Sequence, residues 1–530
     1  MKGIGLLCLL VLFFGLSDAH RSSHENPIEK PETHEKHVKH QKRPKRPWRN
    51  FHRGVTAEIY GKKFTLRNAD DDDLNLGEWF TQKLDHYNEK NKATWKQRYF
   101  KNESFFDAAK GPVFLLLGGE ISISPHWVMH GAWLDYAKKL NALCLCLEHR
   151  YYGMSRPVSN LSTENMDYLT SSQALADTAA FITDYNKKLG GDRKWILFGG
   201  SYAGSLAAWM QLKYPKLVTG AVSSSSPLVA VSDFKGYYTS VKKSLYSYHP
   251  MCLSSINEGM QEFEVLLRSK AGRDKLGVLF NLCDTIDPDN KDDLSSLYEG
   301  LASNFARIVQ YSFKDSTFEG ILAGVTIEDV CNIMINTTKP ALERIAVVSE
   351  VLLNMGQENC FEFKYKKYVD NMKKTNWEDV GNLRQWIYQT CSEFGFFQTS
   401  DPSSKDILFK DRFPVEYFMK QCREIFGPKY TDDFIQQRMR ITNNVYGGVN
   451  INAKNVMFTS GTADPWAGLG MRVPNSPSTP VYNIPGMKKT LNSRLFPVIK
   501  TIAFIHRGSS LLGHAAVFHV RPTGSDVLQG

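Results

Sequence analysis

No run in this 530-residue sequence is apolar for the ~18 residues that a membrane-spanning helix needs. The longest, Ile4–Leu16, follows Lys2 and precedes Ser17-Asp18-Ala19. A basic start, a short apolar stretch and a small-residue end describe a signal peptide, so residues 1–19 read as a secretory leader and no membrane span is expected. Positive charge is concentrated in one place. The formal net charge is +10, but much of it falls in residues 20–53, where His24, His34, His37, His40 and His52 sit among Lys, Arg and Pro. The rest is closer to neutral, which excludes nucleic acid as the expected partner. Apolar residues are scarce only there. Composition therefore predicts a disordered, basic, His-rich segment over 20–74. Elsewhere apolar residues are plentiful, 42% overall, enough for a large core. Cysteine is sparse, with nine in the chain, and nothing in the sequence implies a metal or organic cofactor.

Secretion gives the cysteines meaning. Cys8 leaves with the leader. Cys144 and Cys146 lie two apart in Leu143–Leu147, on one side of a strand, and read as buried small apolar residues. Cys252, Cys283, Cys331, Cys360, Cys391 and Cys422 fall in one polar, helical region, and their spacing leaves several pairings open. Asn102, Asn160 and Asn336 stand in N-x-S/T sequons, the acceptor pattern for N-glycosylation.

From Asn75 the pattern is that of an α/β protein. Gly111–Leu117, Asn141–Leu147, Lys194–Phe198 and Gly220–Ser223 are apolar runs of strand length, and Ser171–Lys188 carries helical spacing. Strands apolar throughout and alternating with helices predict a mostly parallel sheet covered on both faces. Within it, Gly199-Gly200-Ser201-Tyr202-Ala203-Gly204 follows a strand and precedes a helix read from Ser205 to the Lys213-Tyr214-Pro215 stop. This is the G-x-S-x-G nucleophile elbow, with Ala203 as its last small residue. It predicts Ser201 as nucleophile and the Tyr202 N–H as an oxyanion donor; Gly118-Gly119 after an upstream strand predicts Gly119 as the second donor.

The character changes at about Ser232. Helical patterns and the six cysteines fill residues 232–447, which read as a disulfide-stapled helical lid inserted between a first α/β part (75–231) and a second (448–486). The sheet pattern resumes at Asn455–Gly461 and leads to Asp464, where this fold holds the acid of a Ser, Asp, His order. Thr479–Ile484 reads as one more strand.

These runs resemble the serine peptidase family that includes lysosomal Pro-X carboxypeptidase, dipeptidyl peptidase II and thymus-specific serine peptidase. The matching stretches are Gln82-x-Leu84-Asp85-His86-Tyr87, Trp95-x-Gln97-Arg98-Tyr99-Phe100, Gly118-Gly119-Glu120, Glu148–Gly153, Gly199–Gly204 and Asp464-Pro465-Trp466. Gly118-Gly119-Glu120 and Trp386–Phe396 look most like the thymus-specific type. The resemblance implies an α/β-hydrolase with a helical lid, Ser201 as nucleophile, Asp464 as the acid orienting a histidine, and pairs Cys252–Cys331, Cys283–Cys360 and Cys391–Cys422. It implies peptide substrates, with proline beside the scissile bond as one option, and a secreted or lysosomal location.

One expected residue is missing. In the family a Pro-Gly-like turn is soon followed by the triad histidine, whereas Ile484-Pro485-Gly486 is followed by Met487-Lys488-Lys489. His506, His514 and His519 come much later, in an atypical tail (487–530), and Gly513-His514 is the least poor substitute. Losing the base of such a site alone costs about a million-fold in turnover. The sequence therefore supports a serine exopeptidase acting through an acyl-enzyme, with two alternatives: a non-catalytic relative or isoform that binds peptide, and an esterase or lipase on the same fold.

Overall fold

The computed structural model describes residues 77–485 apart from 313–324, 357 and 380, together with 56–59 and 62–65. Thr56–Ile59 (β1) and Lys62–Thr65 (β2) form an antiparallel ribbon. It lies inside the 20–74 segment that composition reads as disordered, and corrects that reading locally. Its two runs contain Thr, Ile and Phe, residues that favour strands, and are separated by Tyr60-Gly61, the two-residue spacing of a hairpin.

Eight further strands make one sheet: β3 (Glu78–Lys83), β4 (Thr94–Asn102), β5 (Val113–Leu117), β6 (Leu143–Leu147), β7 (Trp195–Gly200), β8 (Gly220–Ser224), β9 (Val456–Gly461) and β10 (Val481–Ile484). Their order is β10-β9-β8-β7-β5-β6-β4-β3. β4 runs antiparallel to both neighbours and every other pairing is parallel. A short helix, α1 (His126–Met129), and the longer α2 (Ala132–Leu140), α3 (Ser171–Lys188) and α4 (Tyr202–Lys213) connect the first part of the sheet. A mostly parallel sheet, helices on both faces and a strand–serine–helix turn at mid-sheet make this an α/β-hydrolase fold.

Alternation along the strands explains the two faces. Val113, Leu115, Leu143, Leu145, Leu147, Trp195 and Leu197 point into one core, with α3 and α4. Phe114, Cys144, Cys146, Ile196, Phe198 and Met457 point into the other, with Trp133 and Tyr136 of α2. Burial on both sides is why these strands read as continuous apolar runs. Cys144 and Cys146 are free thiols buried on one face, and burial pushes the Cys144 thiol up to about 12, so neither behaves as a nucleophile.

Between β8 and β9 the described residues form ten α-helices: α5 (Gly236–Tyr248), α6 (Pro250–Leu267), α7 (Lys270–Leu279), α8 (Lys291–Tyr311), α9 (Ile327–Ile335), α10 (Ala341–Met355), α11 (Tyr365–Met372), α12 (Leu383–Gln389), α13 (Val415–Phe426) and α14 (Asp432–Tyr446). Three disulfides staple this lid: Cys252–Cys331 joins α6 to α9, Cys283–Cys360 ties the segment after α7 to the one before α11, and Cys391–Cys422 joins the turn after α12 to α13. Its apolar residues share one core with a face of the sheet, so the lid is packed onto the hydrolase part.

The polar motifs near the start of the hydrolase part are ties between elements. Gln82 on β3 donates to Gln97 Oε1 on β4 (2.8 Å), and Gln97 donates to the Glu148 carbonyl (2.6 Å). Arg98 pairs with Glu148 (2.7 Å), and Arg150 grips Asp177 of α3 with two bonds of 2.6 and 2.7 Å. His86 meets the same Asp177 at 2.7 Å. All but His86 are nearly inaccessible, so each charge is held by an opposite one where water does not reach.

Candidate active site

β7 delivers Ser201 to the carboxyl edge of the sheet. Its backbone takes φ 59° and ψ −135°, a region that non-glycine residues avoid at a cost of roughly 1–3 kcal/mol. The surroundings enforce it. The Ser201 N–H donates to the Ser224 carbonyl of β8 (2.9 Å), and the Ser201 carbonyl accepts from Gly204 (2.9 Å) and Ser205 (3.2 Å). The turn closes so tightly that a Cβ at Gly199 would lie 2.1 Å from the Ala203 carbonyl oxygen. Gly204 lies against β8, where a Cβ would meet the Ser224 carbonyl at 3.0 Å. α4 therefore starts at Tyr202, earlier than the Ser205 that the sequence suggests: Gly204 is there for a close approach and does not break the helix.

The loop after β5 meets this turn. Gly119 packs against Ala203, with its Cβ position 3.4 Å from the alanine methyl. Among the described residues, neither the Tyr202 nor the Gly119 N–H has a hydrogen-bond partner. Glu120, quoted from sequence only as part of a motif, is placed at the centre: its Oε1 accepts from Ser201 Oγ at 3.3 Å, and both residues are buried.

Asp464 belongs to the same edge. Gly200 of β7 is in register with Ser224 of β8, and Ser224 with Thr459 of β9. Ser201 and the end of β9 are thus two strands apart, about 10 Å across the sheet. Asp464 lies three residues beyond β9 and is 1% exposed; its Oδ1 accepts from the Trp466 N–H (2.9 Å) and its N–H donates to the Gly461 carbonyl. The Trp466 indole, bonded to Gln310 of α8 (3.0 Å), anchors this loop to the lid. β10 then brings the chain back to that edge, with Ile484 opposite Gly461. Lys489, His506, His514, His519 and the rest of the 487–530 tail lie outside the described residues, as do residues 1–19 and most of the 20–74 segment.

Residues 82–492 match the family described as Serine carboxypeptidase S28. The chain belongs to that family. It is 34% identical to the thymus-specific serine protease of Mus musculus over 425 residues, 77% of this chain and 80% of that one. It is 29% identical to the lysosomal Pro-X carboxypeptidase of Homo sapiens over 413 residues, 74% and 78% of the two chains. Among solved structures, a proline iminopeptidase of Mycobacterium smegmatis aligns over 81% of this chain and 98% of its own, with a TM-score of 0.33 and 10% identity.

In this S28 chain the lid reaches the elbow through one directed chain of hydrogen bonds. His149 Nδ1 lies 2.6 Å from the Arg150 carbonyl, which can only accept, so Nδ1 carries the proton and Nε2 is bare. The Tyr202 hydroxyl then donates to Nε2 (3.1 Å) and accepts from Gln389 Nε2 of α12 (3.0 Å). Gln389 Oε1 in turn accepts from the Tyr152 hydroxyl (2.5 Å). Burial holds His149 down at about 4, so it stays neutral, and burial pushes Tyr152 and Tyr202 well above the usual phenol range. Gln389 sits just before a π-helical turn, Thr390–Phe394, an irregularity that recurs at functional sites. His149 and Gln389 lay within quoted motifs, yet nothing in their spacing shows that they meet.

The sequon residues are spread over the hydrolase part and the lid. Asn102 closes β4 and its Nδ2, the atom that would carry a glycan, donates to the Val128 carbonyl (2.7 Å). Asn160 Oδ1 accepts from Ser162 N–H, and Asn336, after α9, accepts from Thr338 N–H.

Proposed function

We propose that this chain is a serine-type exopeptidase of the secretory route that cleaves peptides through an acyl-enzyme. Ser201 Oγ attacks the peptide carbonyl carbon and gives its proton to a histidine oriented by Asp464. The Tyr202 and Gly119 N–H groups hold the oxyanion. The C–N bond breaks, the leaving amine takes the proton from the histidine, and water hydrolyses the Ser201 ester by the same route. The histidine is supplied by the chain beyond β10, with His514 as the candidate from sequence. The observation that carries this reading is the strained Ser201 backbone at the mid-sheet strand–helix junction.

The disulfide-stapled lid and the leader-like start support an oxidising compartment, and the lysosomal relatives support a lysosomal or secreted destination. The name of the Pro-X carboxypeptidases supports proline next to the scissile bond. N-glycans at Asn102, Asn160 and Asn336 belong to the same proposal.

The test is turnover by the secreted chain on a peptide panel with and without proline at the bond, beside simple esters, against Ser201→Ala. Peptide cleavage that Ser201→Ala abolishes is expected. Ester turnover with no peptide turnover would overturn the peptidase reading in favour of an esterase. A second reading has its own observation: no histidine stands between Gly486 and His506. A folded chain that binds peptides and turns over neither class would be the non-catalytic form.

A further inference from the structure

Two N–H groups serve one oxyanion only while both stay about 2.7–3.1 Å from the place it will occupy. The two proposed above come from different segments: Tyr202 opens α4 and Gly119 follows β5. Their spacing therefore needs a brace. Gln389, fully buried at the end of α12, is bonded toward both segments. Its Nε2 donates to the Tyr202 hydroxyl (3.0 Å), and its Oε1 accepts from the Tyr152 hydroxyl (2.5 Å). The Tyr202 ring is also gripped from the lid by Trp386 and Phe394, with ring centroids 5.8 and 5.2 Å away. Tyr152 belongs to the stretch Glu148–Gly153, which seats the loop after β5. Glu148 Oε1 accepts from the Ile123 N–H (3.1 Å), and a Cβ at Gly153 would lie 2.6 Å from Ser122 Oγ.

The chemistry at this position is specific. The Tyr202 hydroxyl gives its hydrogen to His149, so from the lid side only a donor can hold its oxygen, whereas the Tyr152 hydroxyl needs an acceptor. A carboxamide offers one of each. Packing alone asks for neither, since methionine has a similar length and leaves no buried polar group to satisfy. Resting on the Ser201 reading above, we infer that Gln389 is a positioning residue: it holds the Tyr202 and Gly119 segments at the separation that one oxyanion requires, so the hole is complete only with α12 seated on the elbow. Losing a donor outright costs about 10²–10³ in rate. Losing the brace displaces the donors without removing them, and the expected cost is about ten- to hundredfold.

The test is fluorophosphonate labelling over a concentration series, which separates the probe's reversible affinity from its rate of bond formation with Ser201. Gln389→Met is expected to lower that rate about ten- to hundredfold and to leave the affinity within about twofold. Tyr202→Phe keeps the ring and the donor N–H and loses only the link to Gln389 and His149. It is expected to act in the same direction, and it stands in if Gln389→Met fails to fold. An unchanged rate in either folded variant, or a loss confined to affinity, overturns the inference. Amide exchange of the unlabelled chain separates it from the parent reading. Either variant is expected to speed exchange at the first turn of α4 and in the loop 119–123, with β5 and β7 unchanged. Exchange that stays the same at either segment overturns the inference. Faster exchange at both, in a chain whose Ser201 takes up no probe, keeps the brace and sinks the catalytic claim.

Discussion

Acidification should weaken this fold through His149. The imidazole is buried, Nδ1 is committed to the Arg150 carbonyl and Nε2 to the Tyr202 hydroxyl. The Tyr152 ring stands edge-on to it, and the Asp177 and Arg150 charges act on it in opposite senses. Burial is the largest influence and holds the group at about 4 against an ordinary 6.5. The unfolded chain thus binds a proton that the folded chain refuses. The stabilisation is complete above pH 6.5, declines as pH falls through the window between 6.5 and 4, and changes no further below it. Between pH 7 and pH 5 the loss from this one group is about 2 kcal/mol. Urea unfolding across pH 4–7.5, wild type beside His149→Gln, isolates it, because glutamine accepts from Tyr202 without titrating. Between pH 7 and pH 5 the wild type should lose about 2 kcal/mol more than the variant. If the two stability profiles run parallel in pH, the imidazole is not held neutral as described.

Other perturbations follow from the same packing. Ser201→Gly relieves the φ 59° strain and should raise unfolding stability by about 1 kcal/mol, after glycine's entropy cost, read as a higher urea midpoint. Gly199→Ala forces a methyl against the Ala203 carbonyl and should abolish any Ser201-dependent labelling or turnover even where soluble protein is recovered, since only a shift of the elbow makes room. Asp177→Ala strands Arg150 without its buried partner and should cost about 3–5 kcal/mol in chemical denaturation. Replacing Cys252 and Cys331 together by serine opens a link across 79 residues and should cost about 4 kcal/mol, with the lid's amides exchanging faster than those of β5 and β7.

What could be seen in the sequence was what repeats along the chain. Val113–Leu117 and Leu143–Leu147 announce themselves because both their faces are buried, and α3 because Ala, Phe and Ile recur at helical spacing over Ser171–Lys188. The elbow is visible because a turn that tight tolerates only small residues around Ser201. What could not be seen depends on residues far apart in the chain. Glu120 and Ser201 are 81 positions apart and Tyr152 and Gln389 are 237 apart, and no local pattern encodes such meetings. The pairing of the six lid cysteines was likewise closed to spacing and came only with the family resemblance. The ribbon at 56–65 was missed for a different reason: a basic average over 20–74 hid two short strand-forming runs at its end.

The central claim, that Ser201 is an activated nucleophile, is tested most directly by exposing the folded chain to a fluorophosphonate and mapping the adduct by mass spectrometry. The account predicts one phosphonylated residue, Ser201, formed by loss of fluoride and absent from Ser201→Ala. An adduct on another serine, or a folded chain that takes up no probe at all, would contradict it.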